Sequence, residues 1–265
     1  MDNWMDVPPT LTSPPFNPIG GRKLAGSASP RANLTGHERD RMYALLRTYF
    51  DGTRRAQFDA DLDEKESVML LRDRETGEIQ GFSTLMRLEI SVDGRDIVAF
   101  FSGDTIVAAP YWGESILSRL WSRTVFAEAD LIVAERPHCR IFWFLICSGY
   151  KTFRFLPVFF RTFHPHPEVQ TPNELQRVLD ALGAAKFGGR YDAASGIVRL
   201  EQPTPLRHGI ADITAQRLRD PLVTFFMGRN PGYGRGDELA CITEISRSNL
   251  TRAGQRMVDV RGADA

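Results

Sequence analysis

The sequence is poor in the features that mark several large protein classes. Cysteine is scarce: Cys139, Cys147 and Cys241 are the three in 265 residues, and none sits in a C-x-x-C pair. That excludes a disulfide framework and fits reduced thiols in a cytoplasmic setting. Neither sign of charge is in excess, since 33 Lys and Arg balance 33 Asp and Glu. No global field therefore draws the chain toward nucleic acid or an acidic surface. No basic stretch followed by an apolar one opens the chain, so no secretory signal is expected. The longest apolar stretch, Ile141 to Phe160, is broken by Lys151, Arg154 and Pro157. A spanning helix needs about 20 mainly apolar residues, so no integral membrane segment is expected. The stretch reads as a buried strand followed by a packed helix, the other reading being a surface that meets lipid or an acyl chain. His164-Pro165-His166 offers two imidazoles and no third ligand nearby, so no metal is expected.

What remains is an ordinary globular chain, 42% apolar and long enough to bury a full core. Residues 1–31 are rich in Pro, Gly and Ser and lack a periodic apolar face. They read as an irregular arm that docks through Trp4, Met5 and Phe16. A helix is predicted after Thr35-Gly36, with Met42, Leu45, Leu46 and Tyr49 on one face, and a short one over 54–62. Strands are predicted at 67–72, 80–90 and 96–108, the last two joined by a hairpin at Asp93-Gly94. A helix over 114–129, a buried strand over 140–146 and a helix from Gly149 limited by Pro157 follow. Further on, a helix at 173–182, strands at 197–200 and 238–245, and a terminal helix after Ser248 complete the pattern.

The order of elements between Val68 and Phe160 resembles the GCN5-related N-acetyltransferase (GNAT) superfamily. The segment Asp104-Thr105-Ile106-Val107-Ala108-Ala109-Pro110-Tyr111-Trp112-Gly113-Glu114-Ser115 looks like its cofactor strand and phosphate-binding turn. The resemblance implies a GNAT-like α/β (α+β) fold, a mixed central sheet flanked by helices. It implies an acyltransferase domain over 32–165 and a C-terminal α+β extension over 166–265 packing on the acceptor side. Backbone amides of Ile106, Val107 and Ala108 would meet the pantetheine arm and serve an oxyanion. Trp112, Gly113 and Ser115, at a helix N-terminus, would hold phosphate.

The turn departs from the family pattern. The usual Arg or Gln position falls on Pro110, which has no amide proton, and only Gly113 survives of the glycines. Glu114 opposes a diphosphate, and Trp112 adds bulk where backbone should approach closely. Relatives that use acyl carrier protein, such as acyl-homoserine-lactone synthases and N-acyl amino acid synthases, also lack a standard turn. The donor is therefore either acyl-CoA or the 4'-phosphopantetheine of an acyl carrier protein. With the latter, Arg119, Arg123 or Arg154 would dock the carrier.

The expected activity is acyl transfer from a thioester to an amine or hydroxyl of a small-molecule acceptor. The alternative is a non-catalytic binding or regulatory module on the same sheet. Candidate bases are Asp104 and Glu89, the other reading of Asp104 being a carboxylate that satisfies nearby backbone amides, and Gly103 suggests a bulge or a close backbone approach beside it. Tyr150 is either an acid for the leaving thiolate or a packing tyrosine. The Gly-rich loop at 230–237 is a lid, a turn or a weak phosphate cradle.

Overall fold

The computed structural model describes residues 18–210 and 212–259. Among them a nine-stranded mixed sheet has the order β1-β2-β3-β4-β5-β6-β9-β8-β7. In chain order the elements are β1 (Ile19–Gly20), β2 (Leu24–Pro30), α1 (Gly36–Tyr49), α2 (Arg55–Asp63), β3 (Ser67–Asp73), β4 (Ile79–Val92), β5 (Arg95–Val107), α3 (Ile116–Glu135), β6 (Arg140–Cys147), α4 (Tyr150–Phe153), α5 (Phe155–Phe159), α6 (Asn173–Phe187), β7 (Tyr191–Asp192), β8 (Ile197–Val198), α7 (Pro221–Arg229), β9 (Glu238–Glu244) and α8 (Arg252–Val258). All neighbours pair antiparallel except β5 and β6, which are parallel.

Local chemistry explains several of these boundaries. Thr35 caps α1 through a full capping box: its hydroxyl accepts from the Glu38 amide, and the Glu38 carboxylate accepts from the Thr35 amide. Met42, Leu45, Leu46 and Tyr49 then face the sheet. Asp93 and Gly94 take positive φ (52° and 74°) and turn β4 back into β5. Pro157 divides the predicted helix after Gly149 into the short α4 and α5.

Two expectations change. The supposed irregular arm contains β1 and β2, and β2 pairs with β3 over seven residues, from Leu24↔Asp73 to Pro30↔Ser67. Leu-Ala-Gly-Ser-Ala-Ser-Pro has little strand propensity of its own; Gly26 lies against Leu71, Leu120 and Ile116, where a β-carbon would crowd at 3.1–3.4 Å. Close approach of α3 decides this strand. Trp4, Met5 and Phe16 lie outside the described residues. The chain beyond residue 165 is also no separate extension, because β9 pairs with β6 over Phe142↔Glu244 to Cys147↔Leu239 and completes the same sheet.

The sheet buries apolar side chains on both faces. On one face, β2–β6 and β9 pack against α3, α4, α5, α7 and α8, with Phe100, Leu120, Phe153 and Phe226 near its centre. On the other, α1 and α2 cover β3–β5, and α6 covers the region of β5, β6 and β9. Among the described residues no helix is long and apolar enough to cross a membrane.

Candidate active site

The site begins where two strands part. β5 and β6 pair only from Ile97↔Arg140 to Ser102↔Leu145. Beyond that point β5 continues on β4 alone, and β6 on β9 alone. The sheet therefore splays into a cleft of ≈ 760 Å³, lined on the strand side by Gly103, Asp104, Thr105, Val107, Ile146 and Glu238.

A bulge decides what faces this cleft. Ser83 pairs with Thr105 and Leu85 with Ser102, so β5 spends one residue more than β4 across this step. Before the bulge, even-numbered Val98 and Phe100 join the core under α3, and odd-numbered Ala99 and Phe101 the core under α6. After it the parity reverses: Ile106 and Ala108 join the core under α1 and α2. The extra residue thus carries Asp104 to the α2 and α6 side, opposite Ser102. Gly103 permits this, since a β-carbon there would stand 2.5 Å from Thr84 Oγ1 and 2.6 Å from Lys65 Cε.

On that side the expected Asp104 is joined by a charged group that sequence reading missed. It comprises Asp61, Glu64 and Lys65 at and just past the end of α2, Lys186 and Arg190 at and just past the end of α6, and Glu238. Lys65 is buried, with Nζ donating to the Asp61 carbonyl at 2.9 Å and lying 5.7 Å from the Phe101 ring centre. Burial lowers its pKa, and the neighbouring Lys186 lowers it further. Lys186 pairs with the Glu64 carboxylate. Asp104 and Glu238 make no ion pair or side-chain hydrogen bond within the described residues. Both are half-buried at the cleft wall, yet protein surrounds them at longer range, so their ionised forms are poorly solvated. That burial pushes Asp104 up to about 6, against the attraction of Lys65. It pushes Glu238 up to about 8, with repulsion from Asp104 and Asp61 added. The repulsion acts chiefly on Glu238 because Asp104 ionises first and meets a neutral partner. Near pH 7 the two carboxyls together hold about one proton.

Backbone groups of β5 supply a second set of contacts. The Ala108 amide donates to the Gln80 carbonyl at 2.7 Å. By the alternation of an antiparallel ladder, Ile106 likewise turns to β4, and Val107 and Thr105 turn away from it. Of the three amides expected to meet a donor, only that of Val107 faces the cleft. Its carbonyl already accepts from Trp112 Nε1 at 2.7 Å.

The turn itself is a single 3-10 turn over Ala109–Tyr111, followed by Trp112-Gly113-Glu114-Ser115 and the start of α3. Trp112, Gly113 and Ser115 all line the cleft. No side chain caps α3, and Gly113 has open space around it. The amides of its first turn are orphans of a 20-residue helix, so the anion-binding character of a helix N-terminus is retained. Glu114 does not occupy it: Oε1 accepts from the Lys23 amide at 2.8 Å, clipping the turn between β1 and β2. Trp112 is 51% exposed at the mouth. Lys151 Nζ sits 4.3 Å from the Trp112 ring centre and donates to the Ile210 carbonyl, joining both sides of the mouth.

Other expected residues lie elsewhere. Glu89 is not at the cleft: it sits near the far end of β4 and pairs with Arg136 at 2.9 Å and Arg87 at 3.2 Å. Strand length explains this, because β4 carries Glu89 away from the splay. Tyr150 is 3% exposed and packs in the core beneath Arg217, while its neighbours Gly149, Lys151 and Thr152 line the cleft. Arg119 and Arg123 have buried Nε atoms, and Arg154 approaches Asp220 at 3.7 Å. His164 is buried beside Ile242, and His166 lies against Phe163. The loop at 230–237 closes on itself, with Asn230 donating to the Asp237 carbonyl, and delivers Glu238 into β9. Cys139, Cys147 and Cys241 are free and buried.

No family model matches the sequence, and no curated protein matches it. Solved structures match about half of the chain at low identity. A conserved protein of unknown function from Enterococcus faecalis V583, described as a probable N-acyltransferase, is 14% identical over 53% of this chain, at a TM-score of 0.36. The chain spans 33% of that protein's length. A GNAT family N-acetyltransferase of Escherichia coli in complex with CoA is 16% identical, covering 53% of this chain and 71% of its own, at 0.33. Glucosamine-6-phosphate N-acetyltransferase of Arabidopsis thaliana is 14% identical, covering 49% and 87%, at 0.32.

Proposed function

We propose that this protein is an N-acyltransferase of the GNAT type, moving an acyl group from a thioester to the amine of a small-molecule acceptor. The observation that carries this reading is the arrangement around the splay. An unpaired β5 edge and the N-terminus of α3 lie toward one side of the cleft, and Asp104 and Glu238 toward the other. A phosphate-bearing donor suits the first, through orphan amides and the helix dipole. An ammonium acceptor suits the second. Asp104, ionised near pH 7, takes a proton from the ammonium, and the neutral amine so formed attacks the thioester carbonyl through its freed lone pair. The Val107 amide donates to the developing oxyanion. The carbon–sulfur bond then breaks, the nitrogen sheds its second proton to leave a neutral amide, and the departing thiolate takes up that proton. Glu238, protonated near pH 7, donates a hydrogen bond within the acceptor pocket. Asp104, Val107, Gly113 and Ser115 are the residues assigned to this chemistry, and Trp112 gates the approach of the donor.

The donor is either acyl-CoA or the phosphopantetheine of an acyl carrier protein. Trp112 favours a donor with one phosphodiester over a diphosphate, because its half-exposed indole adds bulk beside Gly113 and Ser115 at the start of α3, and it also covers the Val107 carbonyl that a pantetheine arm would meet. The same contact favours a second reading, a binding module without turnover, if Trp112 never leaves that carbonyl. Thiol release from acyl-CoA and from acyl carrier protein, with and without a panel of amines, separates these. Release with one donor and an amine supports transfer. Tight donor binding with no release from either supports the module. Trp112→Phe, which removes the indole donor, should lower the donor KM by roughly threefold to tenfold, the worth of one exposed hydrogen bond. An unchanged KM would mean that the indole does not compete with the donor.

A further inference from the structure

Ser102 is the last residue of β5 paired with β6, and it lines the cleft on the α3 side. Its Oγ accepts from Trp121 Nε1 at 2.9 Å and from Trp143 Nε1 at 3.0 Å. Both indoles are buried, with ring centres 4.4 Å apart. An indole nitrogen only donates, and a serine hydroxyl has two lone pairs and one proton. Both lone pairs are therefore committed, and the remaining capacity of Ser102 is to donate. No acceptor for that proton lies within hydrogen-bond reach among the described residues. The wall on the α3 side is mostly apolar, with Leu117, Trp143, Leu145, Phe159, Phe160 and Leu250, and carries the hydroxyls of Ser118 and Ser122, neither of which bonds Ser102. An unmet donor in such a wall is a place for one acceptor atom.

Resting on the acyltransferase reading above, we propose that this chamber takes the distal part of the donated acyl chain, and that Ser102 selects chains bearing a hydrogen-bond acceptor oxygen there. Ser102 precedes Thr105 by three residues and Val107 by five. At strand spacing this is about 10–16 Å of extended chain. The selected oxygen thus lies well beyond the thioester carbonyl, which the Val107 amide serves. A plain alkyl chain fits the apolar wall but leaves the Ser102 proton unpaired. A chain with a keto or ether oxygen at the right depth satisfies it. The two indole donors polarise the hydroxyl and strengthen that bond.

The test uses non-hydrolysable amide analogues of acyl pantetheine, matched in length, with either no chain oxygen or a ketone at successive distal positions. Binding is read by fluorescence of the full-length protein, which needs no turnover. One ketone position should bind about tenfold tighter than the plain chain, the worth of one hydrogen bond in a desolvated site. Ser102→Ala should abolish that preference. Trp121→Phe keeps the hydroxyl but withdraws one of the two donors that commit its lone pairs, so the ketone preference should fall without vanishing, which tests the seat even if Ser102→Ala does not fold. Equal binding of plain and ketone chains by wild type overturns the proposal, as does a preference that survives in Ser102→Ala. If the ketone preference depends on Ser102 but no donor releases thiol with any amine, the seat stands and the acyltransferase reading fails.

Discussion

Replacing Glu238 with Gln removes the carboxyl whose ionisation the fold opposes most among those at the cleft. The carboxyl is pushed up to about 8 from an ordinary 4.5 by burial, then by Asp104 and Asp61. A raised carboxyl binds its proton more tightly in the folded state than in the unfolded one. Folding is therefore unhindered below about pH 4.5, and loses stability progressively as pH rises from 4.5 through 8. That interval corresponds to at most about 5 kcal/mol at 1.36 kcal/mol for each pH unit. Solvent reaches the carboxyl through the cleft, which reduces the figure to about 2–4 kcal/mol. Glutamine has the same shape and no charge, so Glu238→Gln escapes this loss. Thermal melts from pH 4 to 9 should show the two proteins coinciding at the acid end. The variant should then gain steadily, melting roughly 5–15 °C higher by pH 9, at about 2–4 °C for each kcal/mol. In an Asp104→Asn background the divergence should begin at the same pH but end lower, because one source of repulsion is gone. A difference between variant and wild type that stays constant from pH 5 to 9 would refute the account of Glu238.

Two further outcomes follow from the same geometry. Asp104→Asn should lower kcat by roughly 10²–10⁴, the usual worth of a positioned base, and remove the rise of wild-type activity near pH 6 in a pH–rate profile. Gly103→Ala should destabilise the protein by about 1–3 kcal/mol, because its β-carbon meets Thr84 Oγ1 and Lys65 Cε at 2.5–2.6 Å; urea denaturation measures this, and a neutral result would show that Lys65 can yield.

Much of the fold was legible because periodicity is local. Helix α1, with its Thr35 and Glu38 signals, and strands β3, β4 and β5, joined at Asp93-Gly94, fall within a few residues of expectation. The bulge was legible at Gly103, whose missing side chain marks such a place in a strand. Strand β2 was not, since Gly26 and its small neighbours form a strand only because α3 and β3 press against them.

The sequence by itself determined most of the elements, the unusual turn from Pro110 to Ser115 and the place of Asp104 beside Gly103, because turns, caps and strand alternation depend on neighbours along the chain. Tertiary structure alone decided which groups share the cleft. It brought Glu238 from β9, Lys65 from just past α2 and Lys186 from α6 to one wall, sent Glu89 to the far end of β4, and left Ser102 with only a proton to offer. The physical reason is range. Desolvation, charge–charge repulsion and the pairing of buried donors act across space between residues far apart in sequence, and no local pattern encodes them.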